Sequence, residues 1–99
     1  MKLQLDQMIH SDQSPYSTRK IEFLMSSMLY TGFDETKPIL VRLRSRRRVI
    51  TYNRIKRHSS PRWEIFDGIH RYIALAYLQR SYAVAFSTIV PDGIPVREI

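Results

Sequence analysis

Residues 63–80 read WEIFDGIHRYIALAYLQR. The first five, Trp63 to Asp67, are rich in aromatic and β-branched side chains, which is strand chemistry. Alternation puts Trp63 and Ile65 on one face and Glu64 and Phe66 on the other. Gly68 ends that strand. From Ile69 to Gln79 the pattern becomes helical, with Ile69, Ile73, Ala76 and Tyr77 on one face and Leu75 and Leu78 beside it. The stretch is therefore a strand-to-helix junction with Asp67, Gly68, His70 and Arg71 at its turn.

The flanking sequence extends this pattern in both directions. Upstream, KPILVRLR (37–44) holds a β-rich core run after a proline, and Arg42 and Arg44 then alternate with Leu43. SRRR (45–48) is a polar loop, VITYN (49–53) a strand or the return arm of a hairpin, and RIKRHSSPR (54–62) a turn-rich connection. Nearer the start, Ile21, Leu24, Met25, Met28 and Leu29 recur at helical spacing. Ser14 before Pro15 supplies a cap, and Gly32 a stop, for a helix over 16–31. LQLDQMI (3–9) suits a short strand. Downstream, YAVAFSTIV (82–90) is a near-continuous apolar run, expected as a last buried strand. PDGIPVREI (91–99) has two prolines and a glycine and is expected as an extended tail. The order β-α-β-(β)-β-α-β predicts one α+β domain over 1–99. It has a mixed sheet of four to five strands, two main helices and a core over about 3–90.

Composition narrows the function. Ninety-nine residues make one domain, and 43% hydrophobic content is enough for a core without crosslinks. The absence of cysteine excludes disulfides, thiolate chemistry and Cys-based zinc sites. No apolar run approaches the length of a membrane span, and the first residues lack a signal-peptide shape. A soluble, cytoplasmic protein with no membrane partner is expected. An exposed strand of so small a domain offers a place for homodimerisation.

The formal net charge is +7. Nine of the 16 Lys and Arg residues are Arg42, Arg44, Arg46, Arg47, Arg48, Arg54, Lys56, Arg57 and Arg62, and no Asp or Glu interrupts Pro38 to Trp63. Such a one-sign segment is the electrostatic footprint of a polyanion-binding face, with nucleic acid, DNA before RNA, as the expected partner. A solvated basic hairpin is the alternative. SRRR has no periodic order and reads as phosphate contact rather than base readout. Tyr52, Trp63 and Tyr72 lie in or beside this region as stacking platforms or as core aromatics.

The 67–71 turn adds a second phosphate feature. Gly68 permits a tight backbone angle, and the first amides of the following helix lack intrahelical partners. Arg71 is a forked, permanently charged donor, and His70 is a donor when protonated. Asp67 is read as a helix cap or as a partner for Arg71. His10, His58 and His70 match no metal-ligand spacing, and no carboxylate cluster joins them, so no metal site is expected. A nuclease would need two or three nearby carboxylates, and only Glu64 and Asp67 lie near the turn.

FDGIHRYIALAYLQR (66–80) resembles the ParB/sulfiredoxin superfamily. Sulfiredoxins carry Phe-Gly-Gly-Cys-His-Arg-Tyr before an Ala-rich helix. ParB N-terminal domains carry Gly-Glu-Arg-Arg-Tyr-Arg-Ala there, and related small-molecule kinases Asp-Gly-His-His-Arg. LQLDQMI, KIEFLMSSMLYTG (20–32) and KPILVRLR resemble the opening strand, first helix and following strand, and YAVAFSTIV the closing strand, so the likeness spans 3–90. It implies a phosphate or nucleotide site at Gly68, His70 and Arg71. It also implies Lys20 at the first helix start and Ser27 two turns later. Phe23 stands where sulfiredoxins have a serine. Ile69 replaces the catalytic cysteine, so sulfiredoxin chemistry is excluded. The kinases imply Asp67 as a carboxylate base, although Ile69 replaces their second histidine. ParB proteins bind and hydrolyse CTP with an upstream Gln-Pro-Arg box, whereas DQSPYSTRK (12–20) has Gln13, Pro15 and Arg19 non-contiguously. The expected function is thus a ParB-like nucleic-acid-binding module, with a metal-dependent nucleotide hydrolase, kinase or nuclease as the alternative. A nucleoside triphosphate with Mg is the cofactor either would use. Without a helix-turn-helix domain, a stand-alone accessory protein of a plasmid or virus is the expected setting.

Overall fold

The computed structural model describes residues 1–10, 16–43 and 63–99. Among them the chain forms β1 (Lys2–Leu3), a 3-10 turn (Leu5–Gln7), β2 (Met8–Ile9), α1 (Thr18–Thr31) and β3 (Ile39–Leu43). β4 (Trp63–Asp67), α2 (Ile69–Ser81), α3 (Ala83–Ile89) and β5 (Ile94–Glu98) follow. The α+β class and the mixed five-stranded sheet agree with the sequence. Strand order is β1-β5-β3-β4-β2. β5 lies parallel to β3, and β2 parallel to β4, while the β3–β4 and β1–β5 pairs are antiparallel. β1 and β2 occupy opposite edges yet are joined by one 3-10 turn, so the sheet curls to bring those edges together. Among the described residues each edge strand is only two residues long.

Helices α1 and α2 pack on each other and cover the sheet. Ile39, Val41 and Ile65 from the central strands meet Ile21 and Met28 of α1 and Ala74, Leu75 and Leu78 of α2. The α1 stripe is as expected at Ile21 and Met28, with Leu24 and Met25 half-buried, whereas Leu29 is exposed. Gly32 ends the helix at φ 83°, as a stop residue should. The buried face of α2 is centred on Ala74, Leu75 and Leu78 rather than on the expected Tyr77, which is exposed. No described helix is long and apolar enough to cross a membrane.

Four expectations change. Residues 3–9 are not one strand, because Leu5 turns inward in the 3-10 segment and splits it. Helix α1 starts at Thr18, not Tyr16, because Ser17 caps it by accepting from the Lys20 amide at 3.2 Å. Ser14 and Pro15 lie outside the described residues. YAVAFSTIV is a helix, not the closing strand: Val84 is 85% exposed, which a buried strand would not allow. Tyr82, at φ −140° and ψ 58°, breaks the path between α2 and α3, and Phe86 N–H returns to the Tyr82 carbonyl at 2.8 Å. The hydroxyls of Ser87 and Thr88 donate back to the Ala83 and Val84 carbonyls, which a helix allows.

The last correction is the largest. Residues 91–99 are no tail. A turn at Val90–Gly93 leads into β5, whose Ile94 and Val96 are 1% and 4% exposed. Pro95 fits because the β3 ladder begins at Val96, beyond the proline, and only the two-residue β1 faces it. The core therefore runs to Val96, past the expected limit at 90. VITYN and the other residues between 44 and 62 lie outside the described residues.

Candidate functional site

The strand-to-helix turn is present. β4 ends at Asp67, and Gly68 takes φ 101° and ψ 24° and stands as N-cap of α2. A glycine offers no side chain to cap the helix, so the first-turn amides of α2 are presented at the turn. The Tyr72 amide closes the first turn on the Gly68 carbonyl at 2.9 Å. A β-carbon at Gly68 would lie 3.2 Å from Ile39 Cγ1 and 3.1 Å from Arg71 Nη2. Glycine is thus required by backbone angle and by crowding.

Around this turn lies an open cleft of about 500 Å³. Gly68, His70 and Arg71 line it from α2, with Asp67 at its edge. Lys20 enters from the first turns of α1, and Lys37 from the segment before β3. The beginnings of two helices and three cations therefore converge on one hollow. Such a surface favours an anion through the helix dipoles and the side-chain charges alike.

Arg71 is held in place. Its Nη1 donates to the Lys37 carbonyl, and its guanidinium lies 6.0 Å from the centre of the Phe33 ring. Lys37 is placed by a turn over Asp34–Thr36. Asp34 Oδ1 accepts from the Thr36 amide at 3.0 Å and the Thr36 hydroxyl at 2.6 Å. The Thr36 hydroxyl, then its amide, with the charges of Lys37 and Arg71, hold the Asp34 carboxyl below its usual value.

His70 lines the cleft and also makes a contact between the two helices. Its Nε2 faces the Ser17 amide at 3.3 Å and accepts from it. That contact fixes the α1 start against the α2 start, and it needs the nitrogen unprotonated. Tyr16 packs edge-on against His70 and donates to or accepts from His10 Nδ1 at 2.9 Å. His10 in turn meets the Tyr72 ring edge-on at 5.7 Å. Burial pushes the Tyr72 hydroxyl above its ordinary value of 10.0.

Other expected residues are placed as follows. Ser27 is exposed on α1 and outside the cleft; its carbonyl accepts from the Thr31 hydroxyl at 2.9 Å. Phe23 is exposed and also outside the lining. Arg42 is engaged: Nε and Nη2 donate to one Glu64 oxygen at 3.0 and 2.6 Å, and the guanidinium lies 5.9 Å from the Phe66 ring centre. Glu64, just beyond the acid-free stretch, thus offsets the first cation of the basic run and is itself 7% exposed. Arg44, Arg46, Arg47, Arg48, Arg54, Lys56, Arg57 and Arg62 lie outside the described residues, as do Tyr52 and His58. Among the described residues no three of His, Asp and Glu gather closely enough to hold a metal ion. Sequence reasoning missed Lys37, Phe33 and Tyr16. DETK (34–37) does carry an Asp-x-Thr turn signal that would have placed Lys37 on a fixed bend.

The chain matches no family model, no curated protein and no solved structure.

Proposed function

We propose that this protein is a ParB-like nucleic-acid-binding module that grips the phosphate backbone. The observation that carries the reading is the hollow at the Asp67–Gly68 turn, where Lys20, Lys37, Arg71 and the first amides of α2 meet. Phosphate oxygens suit that donor set, because a fixed guanidinium and helix-end amides are pre-arranged for them. The net charge of +7 and the cation-rich sequence between 42 and 62 support a polymeric anion over a single small one. The resemblance at FDGIHRY supports the same site. The helical nature of residues 83–89 departs from the closing strand that resemblance implied.

A second reading is supported by Asp67, which lines the same cleft. A phosphoryl-transfer or nucleotide-hydrolysing member of the same superfamily would use it as base with a divalent ion. The two readings divide on one substitution. As a bystander, Asp67 repels phosphate, so Asp67→Asn strengthens binding. As a base, it is required, so Asp67→Asn removes turnover.

The test is a salt titration of binding to a fluorescent duplex and a fluorescent single strand, with and without ATP or CTP and Mg. The expected result is a linear fall of log affinity with log salt, with a slope magnitude of about 0.9 per phosphate neutralised on duplex. Lys20→Ala and Arg71→Ala each reduce that slope by about one. Salt-independent binding, or none, overturns the reading. Magnesium-dependent turnover lost in Asp67→Asn would replace it with the second.

A further inference from the structure

A smaller hollow of about 280 Å³ lies on the outer face of α2. Tyr72, Ala76 and Arg80 follow each other at i, i+4 and i+8, with Ile73 and Tyr77 on the adjoining row, and His10 faces them from the end of β2. Ala76 makes a low floor between aromatic walls. Its volume falls at the small end of ligand pockets, suited to one flat ring rather than to a whole nucleotide.

This hollow adjoins the phosphate cleft through a wall of rings. Tyr16 and His70 line the first cleft, while His10 and Tyr72 line the second. Tyr16 touches both His10 and His70, and His10 touches Tyr72. One helix also spans both hollows. From Arg71 to Tyr77 the axial rise is about 9 Å, a span that a phosphate, its sugar and its base can cover.

We infer that the His10–Tyr72–Tyr77–Arg80 hollow is a base-stacking subsite, and that the protein selects single-stranded nucleic acid over duplex. The inference rests on the phosphate reading of the neighbouring cleft. An aromatic wall with a planar cation beside it offers a base two π-type contacts and needs no particular sequence. Only an unpaired, unstacked base can enter, because duplex bases hide their faces in the stack. Tyr77 is 49% exposed although it belongs to an otherwise apolar helix row, and Arg80 is exposed beside it. Otherwise Tyr77 is an idle surface ring and Arg80 only answers the negative end of the α2 dipole.

The test measures fluorescence anisotropy of three probes: a mixed-sequence single strand, the same strand with abasic sites, and a duplex. The proteins are wild type, Tyr77→Ala and Tyr77→Phe, with circular dichroism confirming that each is folded. We expect Tyr77→Ala to weaken binding to the intact strand roughly tenfold. That factor equals about 1.4 kcal/mol, inside the range of one base–aromatic stack. We expect less than a twofold change on the abasic strand and the duplex, and wild-type behaviour from Tyr77→Phe. Equal effects on intact and abasic strands, or no effect on the intact strand while the wild type binds it, overturn this inference alone. A wild type that binds neither strand nor duplex overturns the phosphate reading and this one with it.

Discussion

Replacing Gly68 by alanine tests the geometry of the turn. At φ 101° and ψ 24° an L-residue is strained, by about 1–2 kcal/mol. The added methyl would also stand 3.2 and 3.4 Å from Ile39 Cγ1 and Cγ2. Ile39 is 0% exposed in the middle of the sheet, so it has nowhere to move. Arg71 Nη2, at 3.1 Å, could retreat only by giving up its place against the Lys37 carbonyl and Phe33. Overpacking of this kind adds about 1–3 kcal/mol. The total is about 2–5 kcal/mol, which in a domain of this size lowers Tm by roughly 10–40 °C. Gly32→Ala is the control, since it too has positive φ but no atom within 4 Å of the new methyl. It should show only the backbone part, about 1–3 kcal/mol. Urea denaturation followed by far-UV circular dichroism reads both variants. If Gly68→Ala costs no more than its backbone part, about 2 kcal/mol, the crowding by Ile39 and Arg71 is wrong. If it costs less than about 1 kcal/mol, the left-handed turn itself is wrong.

Three further outcomes follow from the same structure. Ile94→Ala should cost about 2–5 kcal/mol in denaturant, because Ile94 is 1% exposed; an effect within about 0.5 kcal/mol would mean residues 94–98 are a dispensable tail after all. Tyr72, whose hydroxyl is held above 10.0 by burial, contributes stability that is fully present below that value and lost as pH rises through its higher folded value. Alkaline melting curves should therefore fall more steeply for wild type than for Tyr72→Phe, and parallel curves would refute the burial. A double-mutant cycle with Arg42→Met and Glu64→Gln should return a coupling of about 1 kcal/mol, limited by solvent screening because the Arg42 side chain is 55% exposed. A coupling under about 0.3 kcal/mol would show that this pair does not hold the β3–β4 ends together.

Sequence alone determined the parts that rest on short-range chemistry. The α1 stripe, the β3 and β4 strands and the Asp67–Gly68 turn were legible because apolar period and glycine placement act within a few residues. The nearness of Gly68, His70 and Arg71 at that turn was legible for the same reason, since they are neighbours in the chain. What required the tertiary structure was anything decided by a distant partner. An apolar run such as 82–90 has no period to separate helix from strand, and it is the break at Tyr82 and the packing on α2 that make it α3. The prolines of 91–99 resemble a tail, yet β1 and β3 supply two ladders that capture Ile94 and Val96. Likewise the contact of the Ser17 amide with His70 Nε2 exists only because the fold brings the start of α1 to the start of α2. Lys37 became a site residue only when the fold set it beside Arg71. Local sequence fixes what each segment prefers; which preference survives, and which cations meet in one hollow, depends on contacts between residues dozens of positions apart.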